Sequence, residues 1–248
     1  MGHIVCSRDA PFWTIHPYVF DGYRPRLNWS QCVYSLVQWH TETINVWTMV
    51  GNMVITVYLL HPLFSVSHAA VAMALAVCVH NPCSVVFHTF MPVSEYTYRC
   101  LYKLDACCIF VASFFLTFSL ASCVFSPALV FAFSSAQACI VIYSIMQMLA
   151  ASTFLPPHTQ GYFIARCMVM YLAPMMYHTV VVDTGTWVAT SGTLVSFAVG
   201  GVSYMVGFPQ IIRPATTVFN SHALMHCCLV SAQYFMTRFL LSQTSVPQ

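Results

Sequence analysis

Charge is what this chain has least of. Six acidic and eight basic residues make up 6% of 248 positions, where an ordinary soluble domain carries about 25%. So few charges could not cover the surface of a soluble protein, but a bilayer accepts apolar faces directly. A basic stripe is also missing: the net charge is only +2, which excludes a nucleic-acid partner. No early apolar run marks a cleavable leader, because residues 1–40 are polar and aromatic. Paired CxxC knuckles are missing too. Of the twelve cysteines, Cys78, Cys107, Cys108, Cys139, Cys167, Cys227 and Cys228 lie in apolar runs, where cysteine acts as a small polarizable core residue. That argues against a thiolate metal site and against a disulfide framework.

Hydrophobic residues fill the gap, at 59% of the chain. A spanning helix needs about 20 mostly apolar residues, and the sequence divides into seven such runs: 43–60, 65–90, 105–125, 128–149, 162–182, 187–206 and 218–241. The expected fold is an all-α seven-transmembrane bundle over residues 42–241. Before it lies an N-terminal segment, 1–41, with an interfacial helix at 30–40 and a turn at Tyr23-Arg24-Pro25. A short tail, 242–248, follows. Asn81-Pro82 predicts a kink in the second span, and Glu95, Arg99 and Lys103 fall in a polar connector before the third. With the N-terminus in the cytoplasm, the inner segments hold Arg8, Arg24, Arg26, Arg99, Lys103, Arg166 and Arg213, leaving Arg238 outside. The positive-inside rule therefore predicts a cytoplasmic N-terminus and an extracellular or lumenal C-terminus.

That topology sets metal-ligand residues at one depth. His88 closes the second span at its inner end, Asp105 opens the third, and His222 and His226 occupy the first turns of the seventh. His222 and His226 are four apart, so both imidazoles share one helix face, a standard way to offer two nitrogens to zinc. With His88 they make a three-histidine set that leaves a coordination position open. Asp105 is a candidate to hold the zinc water and accept its proton, and Ser84 shares the His88 face. The other reading is that these are hydrogen-bonded packing residues. His80 also lies on the His88 face, while His61, His68, His158 and His178 read as loop or span-end residues. Against packing alone stands the cost of ionisable groups in a membrane span. Glu42 reads as a charge at a helix start, favoured by the dipole.

Four segments carry a resemblance to the progestin and adipoQ receptor family, related to hemolysin III proteins. They are Gly22-Tyr23-Arg24-Pro25, then His40-Thr41-Glu42-Thr43-Ile44-Asn45-Val46-Trp47-Thr48, then Ser84-Val85-Val86-Phe87-His88 with Ser94-Glu95 and Leu104-Asp105, and Ser221-His222-Ala223-Leu224-Met225-His226. The resemblance implies seven helices, a cytoplasmic N-terminus, zinc on His88, His222 and His226, Asp105 on the zinc water and Ser84 beside it. It also implies a receptor for adipokines or steroids, or a zinc-dependent ceramidase. The chain departs from the pattern at Met49, at Met91-Pro92-Val93, at Ala106 and at Gln210. None of these is a proposed ligand.

Two functions are expected from this. One is a zinc hydrolase of a lipid amide such as ceramide, with Asp105 and Ser84 catalytic, acting in signalling. The other is a non-catalytic receptor, binding a steroid or an extracellular adipokine, in which zinc is structural. A homo-oligomer fits either. A transporter would keep its polar groups near the midplane, whereas these sit toward one face. The location expected is the plasma membrane or an endomembrane.

Overall fold

The structure is a computed structural model that describes residues 4–151, 157–213 and 218–244. Part of the loop expected between the fourth and fifth spans, part of the loop after the sixth span and the end of the tail lie outside the described residues. Eight α-helices are described: α1 Trp29–Ser35, α2 Thr43–Leu60, α3 His68–Phe90, α4 Glu95–Ser122, α5 Pro127–Ala150, α6 Pro157–Tyr177, α7 Trp187–Val206 and α8 Ser221–Thr244. A π-helical turn, His178–Val182, extends α6. From α2 to α8, seven helices are long and apolar enough to cross a membrane. The protein is an all-α integral membrane protein. Its apolar exterior is of the kind a bilayer covers: Phe131, Ile142, Met146 and Leu149 of α5 all face outward.

Four helix starts differ from expectation by three residues or more: α3 begins at His68 rather than 65, and α6 at Pro157 rather than 162. The third span begins at Glu95, ten residues early, so the polar connector is helix. Ser94 caps it by accepting from the Thr97 N–H at 3.0 Å, and Arg99 donates to Glu95 one turn earlier at 2.6 Å. Such i,i+4 pairs support a helix whose polar composition reads as loop. Asp105 therefore lies about three turns inside α4 rather than at its opening. The seventh span starts at Ser221, because Asn220 caps it. α3 continues through Pro82, and α1 ends at Ser35, short of the expected 40. Tyr23 does not turn: it forms an antiparallel bridge with Val5, and Gly22 before it takes a positive φ of 83°.

The described chain packs as two compact units, each discontinuous in sequence. One comprises Met1–Gly51, Pro82–Asp105 and Ser196–Val230, and it contains all the candidate site residues. Its core includes Tyr23, Met49, Phe87, Met91 and Ala223. Gly200 lets α7 approach α8, since a Cβ there would lie 2.8 Å from the Cβ of Cys228. The other unit comprises Asn52–Asn81, Ala106–Val195 and Ser231–Gln248. Leu60, Met73, Phe110, Leu120, Met148, Met175 and Phe239 are buried there. Polar links cross its helices: Ser119 donates to the Ala69 carbonyl at 2.8 Å, Gln137 to Ser113 at 2.6 Å, and Arg166 to Ser144 at 2.6 Å. Between apolar helices such bonds supply specificity that lipid-like packing alone lacks.

Candidate metal centre

The start of α8 is fixed before its histidines are reached. A helix leaves its first N–H groups without intrahelical partners. Asn220 Oδ1 accepts from the N–H groups of His222 and Ala223, each at 3.0 Å, and Gln210 Oε1 accepts from Ser221 N at 2.7 Å. Gln210 Nε2 also donates to Ser221 Oγ at 2.7 Å. Asn220 Nδ2 donates to the Thr41 carbonyl at 3.1 Å. These bonds hold the first turn of α8 beside the segment that enters α2.

One turn apart on that helix, His222 and His226 bring their Nε2 atoms to 3.2 Å. His88 completes the group from the last turn of α3, with ring centroids 5.1 Å from His222 and 4.9 Å from His226. One nitrogen from each of the three lies within 4.8 Å of the others. The donor set suits a metal. Tetrahedral zinc with Zn–N bonds of about 2.0–2.1 Å separates neighbouring nitrogens by ~3.3–3.4 Å, close to the 3.2 Å between His222 and His226. Phe87 stands beside His88 with ring centroids 4.9 Å apart, and Tyr204 lies edge-on to His222 at 5.4 Å.

The ends of α3 and α2 meet at this cluster. Arg24 is buried and takes up carbonyls that α3 leaves open at its C-terminus. Nη2 donates to His88 O at 2.5 Å, and Nη1 to Thr89 O at 2.9 Å and Ser35 Oγ at 3.0 Å. A cation there also complements the helix dipole. Burial lowers the Arg24 pKa, and Glu42 opposes that shift. Glu42 itself is only 2% exposed. Burial would raise its pKa, yet hydrogen bonds with His16 and His88 hold it well below the usual carboxylate range. His40 is buried as well: its Nδ1 accepts from Glu42 N at 3.1 Å and its Nε2 faces Ser35 O at 3.2 Å. Burial, and then the Arg24 charge, push the His40 imidazole down to about 3.

The sequence matches the family described as Haemolysin-III related over residues 37–237. The chain belongs to this family. It is also similar to "Uncharacterized protein C30D11.11" of Schizosaccharomyces pombe, at 29% identity over 105 residues, which is 38% of this chain. The matched stretch spans about a quarter of that relative's length, 24%. The haemolysin-III match takes in His88, His222 and His226, together with Glu42. It leaves out His16 and Arg24, which precede its first residue.

Of the five residues singled out in the sequence, the structure thus brings three together. Ser84 lies four residues before His88 on α3 and is buried. Asp105 is half-buried on α4, and its carboxylate is not part of the three-histidine group. Glu42 does stand at the start of α2, but sequence reasoning missed its burial and its bonds with His16 and His88. Its signal was present in an acid set beside a membrane span in a chain with only six acids. His16 carried no comparable signal, standing in an irregular segment far in sequence from all three histidines.

Proposed function

We propose that this haemolysin-III family protein is a zinc-dependent hydrolase of a lipid amide, ceramide-like in its chemistry, acting near the cytoplasmic face. The observation that carries the reading is the meeting of three imidazoles, with two Nε2 atoms at 3.2 Å. His88, His222 and His226 would hold the ion. When bound, zinc polarises a carbonyl and lowers the pKa of water to about 7. Asp105 would accept the proton of the attacking water, acting from outside the histidine group. A positioned general base of this kind contributes about 10²–10⁴-fold. Ser84 would donate its hydroxyl hydrogen to the oxygen that gains charge as the amide carbon becomes tetrahedral. The apolar walls given by Phe87 and Tyr204 suit a lipid chain, which would reach the site from the bilayer.

The competing reading is a receptor in which the metal is structural and binds helix ends together. The number of buried bonds that converge on the end of α3 favours it. The test is zinc content of purified protein, with hydrolysis of a short-chain ceramide measured on the same samples. Wild type should hold about one zinc per chain by the three-ligand stoichiometry, and His226→Ala should lose it. Asp105→Asn should keep zinc and lose hydrolysis. Full hydrolysis in Asp105→Asn would remove Asp105 from the mechanism. Zinc without any lipid turnover, together with saturable binding of a steroid or an extracellular protein ligand, would establish the receptor reading.

A further inference from the structure

Behind His88 lies a second layer drawn from two distant parts of the chain. Glu42 Oε2 stands 2.8 Å from His88 Nδ1 and accepts from Asn45 Nδ2 at 2.7 Å. Its other oxygen, Oε1, stands 2.9 Å from His16 Nε2. A carboxylate oxygen is the acceptor that a ring N–H would use, and both ring nitrogens lie at hydrogen-bond distance from it. For His88 the contacted nitrogen is Nδ1, which leaves Nε2 as the one directed away from Glu42. His16 is itself anchored, since its backbone N–H donates to Tyr23 Oη at 2.9 Å and Tyr23 Oη donates to Val19 O at 3.1 Å. Its ring also lies 5.8 Å from that of His222.

A helix-start role does not account for this arrangement. The dipole of α2 favours an acid at this position by about 0.3–2 kcal/mol, whereas burying a carboxylate costs several kcal/mol unless its oxygens are well bonded. Glu42 is buried, and both its oxygens point at side chains of the centre. Ligating histidines commonly hold such a carboxylate on their other nitrogen, which fixes tautomer and ring orientation. We infer that Glu42, held in turn by His16 and Asn45, is a positioning residue that fixes His88 with its Nε2 toward the metal. The inference rests on the metal-site reading above. It adds that the centre is built partly by residue 16, which precedes the family-matched region.

The experiment uses the full chain in lipid nanodiscs, stripped of metal and titrated with zinc against a chromophoric chelator. Parallel samples take cobalt, whose visible absorption reports the ligand field. Glu42→Ala should bind zinc about 10–100-fold more weakly, the usual effect of losing such a partner. Glu42→Gln keeps shape and hydrogen bonding but not charge. It should bind more weakly than wild type and shift the cobalt bands, which a merely structural role would leave in place. His16→Gln should weaken binding by less than Glu42→Ala. Glu95→Gln, at an exposed pair with Arg99, should match wild type. If Glu42→Ala does not fold, Glu42→Gln decides. Unchanged zinc affinity and cobalt bands in Glu42→Gln would overturn the inference and leave the metal site standing. A wild type that takes up neither metal would overturn both.

Discussion

Replacing Arg24 with methionine keeps the stem and removes the guanidinium that closes α3. Three hydrogen bonds go with it, to His88 O, Thr89 O and Ser35 Oγ. Bonds from a charged donor contribute about 1.5–3 kcal/mol each, so the gross loss is ~4.5–9 kcal/mol. Part of that is offset, because the variant no longer buries a cation, and burial already lowers the pKa of this one. The remaining loss should resemble that of breaking a buried charged contact, about 3–5 kcal/mol. For a chain of this size each kcal/mol moves Tm by about 2–4 °C, so Arg24→Met should melt ~6–20 °C below wild type in the same detergent. Arg24→Lys, with one ammonium for three acceptors, should fall between them. The assay is thermal unfolding by intrinsic fluorescence, with zinc affinity on the same samples. An Arg24→Met melting within about 2 °C of wild type would refute the claim that this side chain anchors the end of α3.

Other predictions follow from the same region. His40 is neutral in the fold, with its pKa down at about 3 against 6.5 unfolded. Its contribution is therefore complete above pH 6.5 and is lost as pH falls toward 3, at about 1.4 kcal/mol per unit. Denaturation below about pH 6 should show that slope in wild type, and His40→Gln should flatten it. Gly200→Ala should cost about 1–3 kcal/mol by overpacking and reduce zinc retention, since the new Cβ meets that of Cys228 at 2.8 Å. Gly51→Ala has nothing within 4 Å and should leave both readouts unchanged. Ser84→Ala should retain zinc and lower ceramide hydrolysis about 10²–10³-fold, the range for one oxyanion donor. Hydrolysis at the wild-type rate would remove Ser84 from the site.

The seven spans were legible because lipid-length apolar runs need no tertiary information. The α8 pair was legible for a related reason: helix geometry alone puts residues 222 and 226 on one face. The start of α4 was not, because its first turns are polar and are held by a local cap and an i,i+4 pair. Arg24 shows the limit of counting charges. It entered the orientation argument as a cationic residue on the water side, but it is buried and spends its charge on carbonyls. Glu42 was read as a helix-start charge without its side-chain partners, because residue 16 and residue 88 are not near it in sequence. Fixed local geometry can be read from one sequence. A hydrogen bond across 46 positions cannot.

The bonds made by His16, Tyr23 and Arg24 bear on how this protein is best handled. Trimming to the boundary of the family match would discard the anchor of α3 and the partner of Glu42 while keeping His88, His222 and His226. Such a shortened chain would retain all seven apolar helices and insert into a membrane. A loss of metal binding in it would then be blamed on the three histidines rather than on the missing brace. Affinity tags and fluorescent fusions are accordingly safer after α8 than before residue 4.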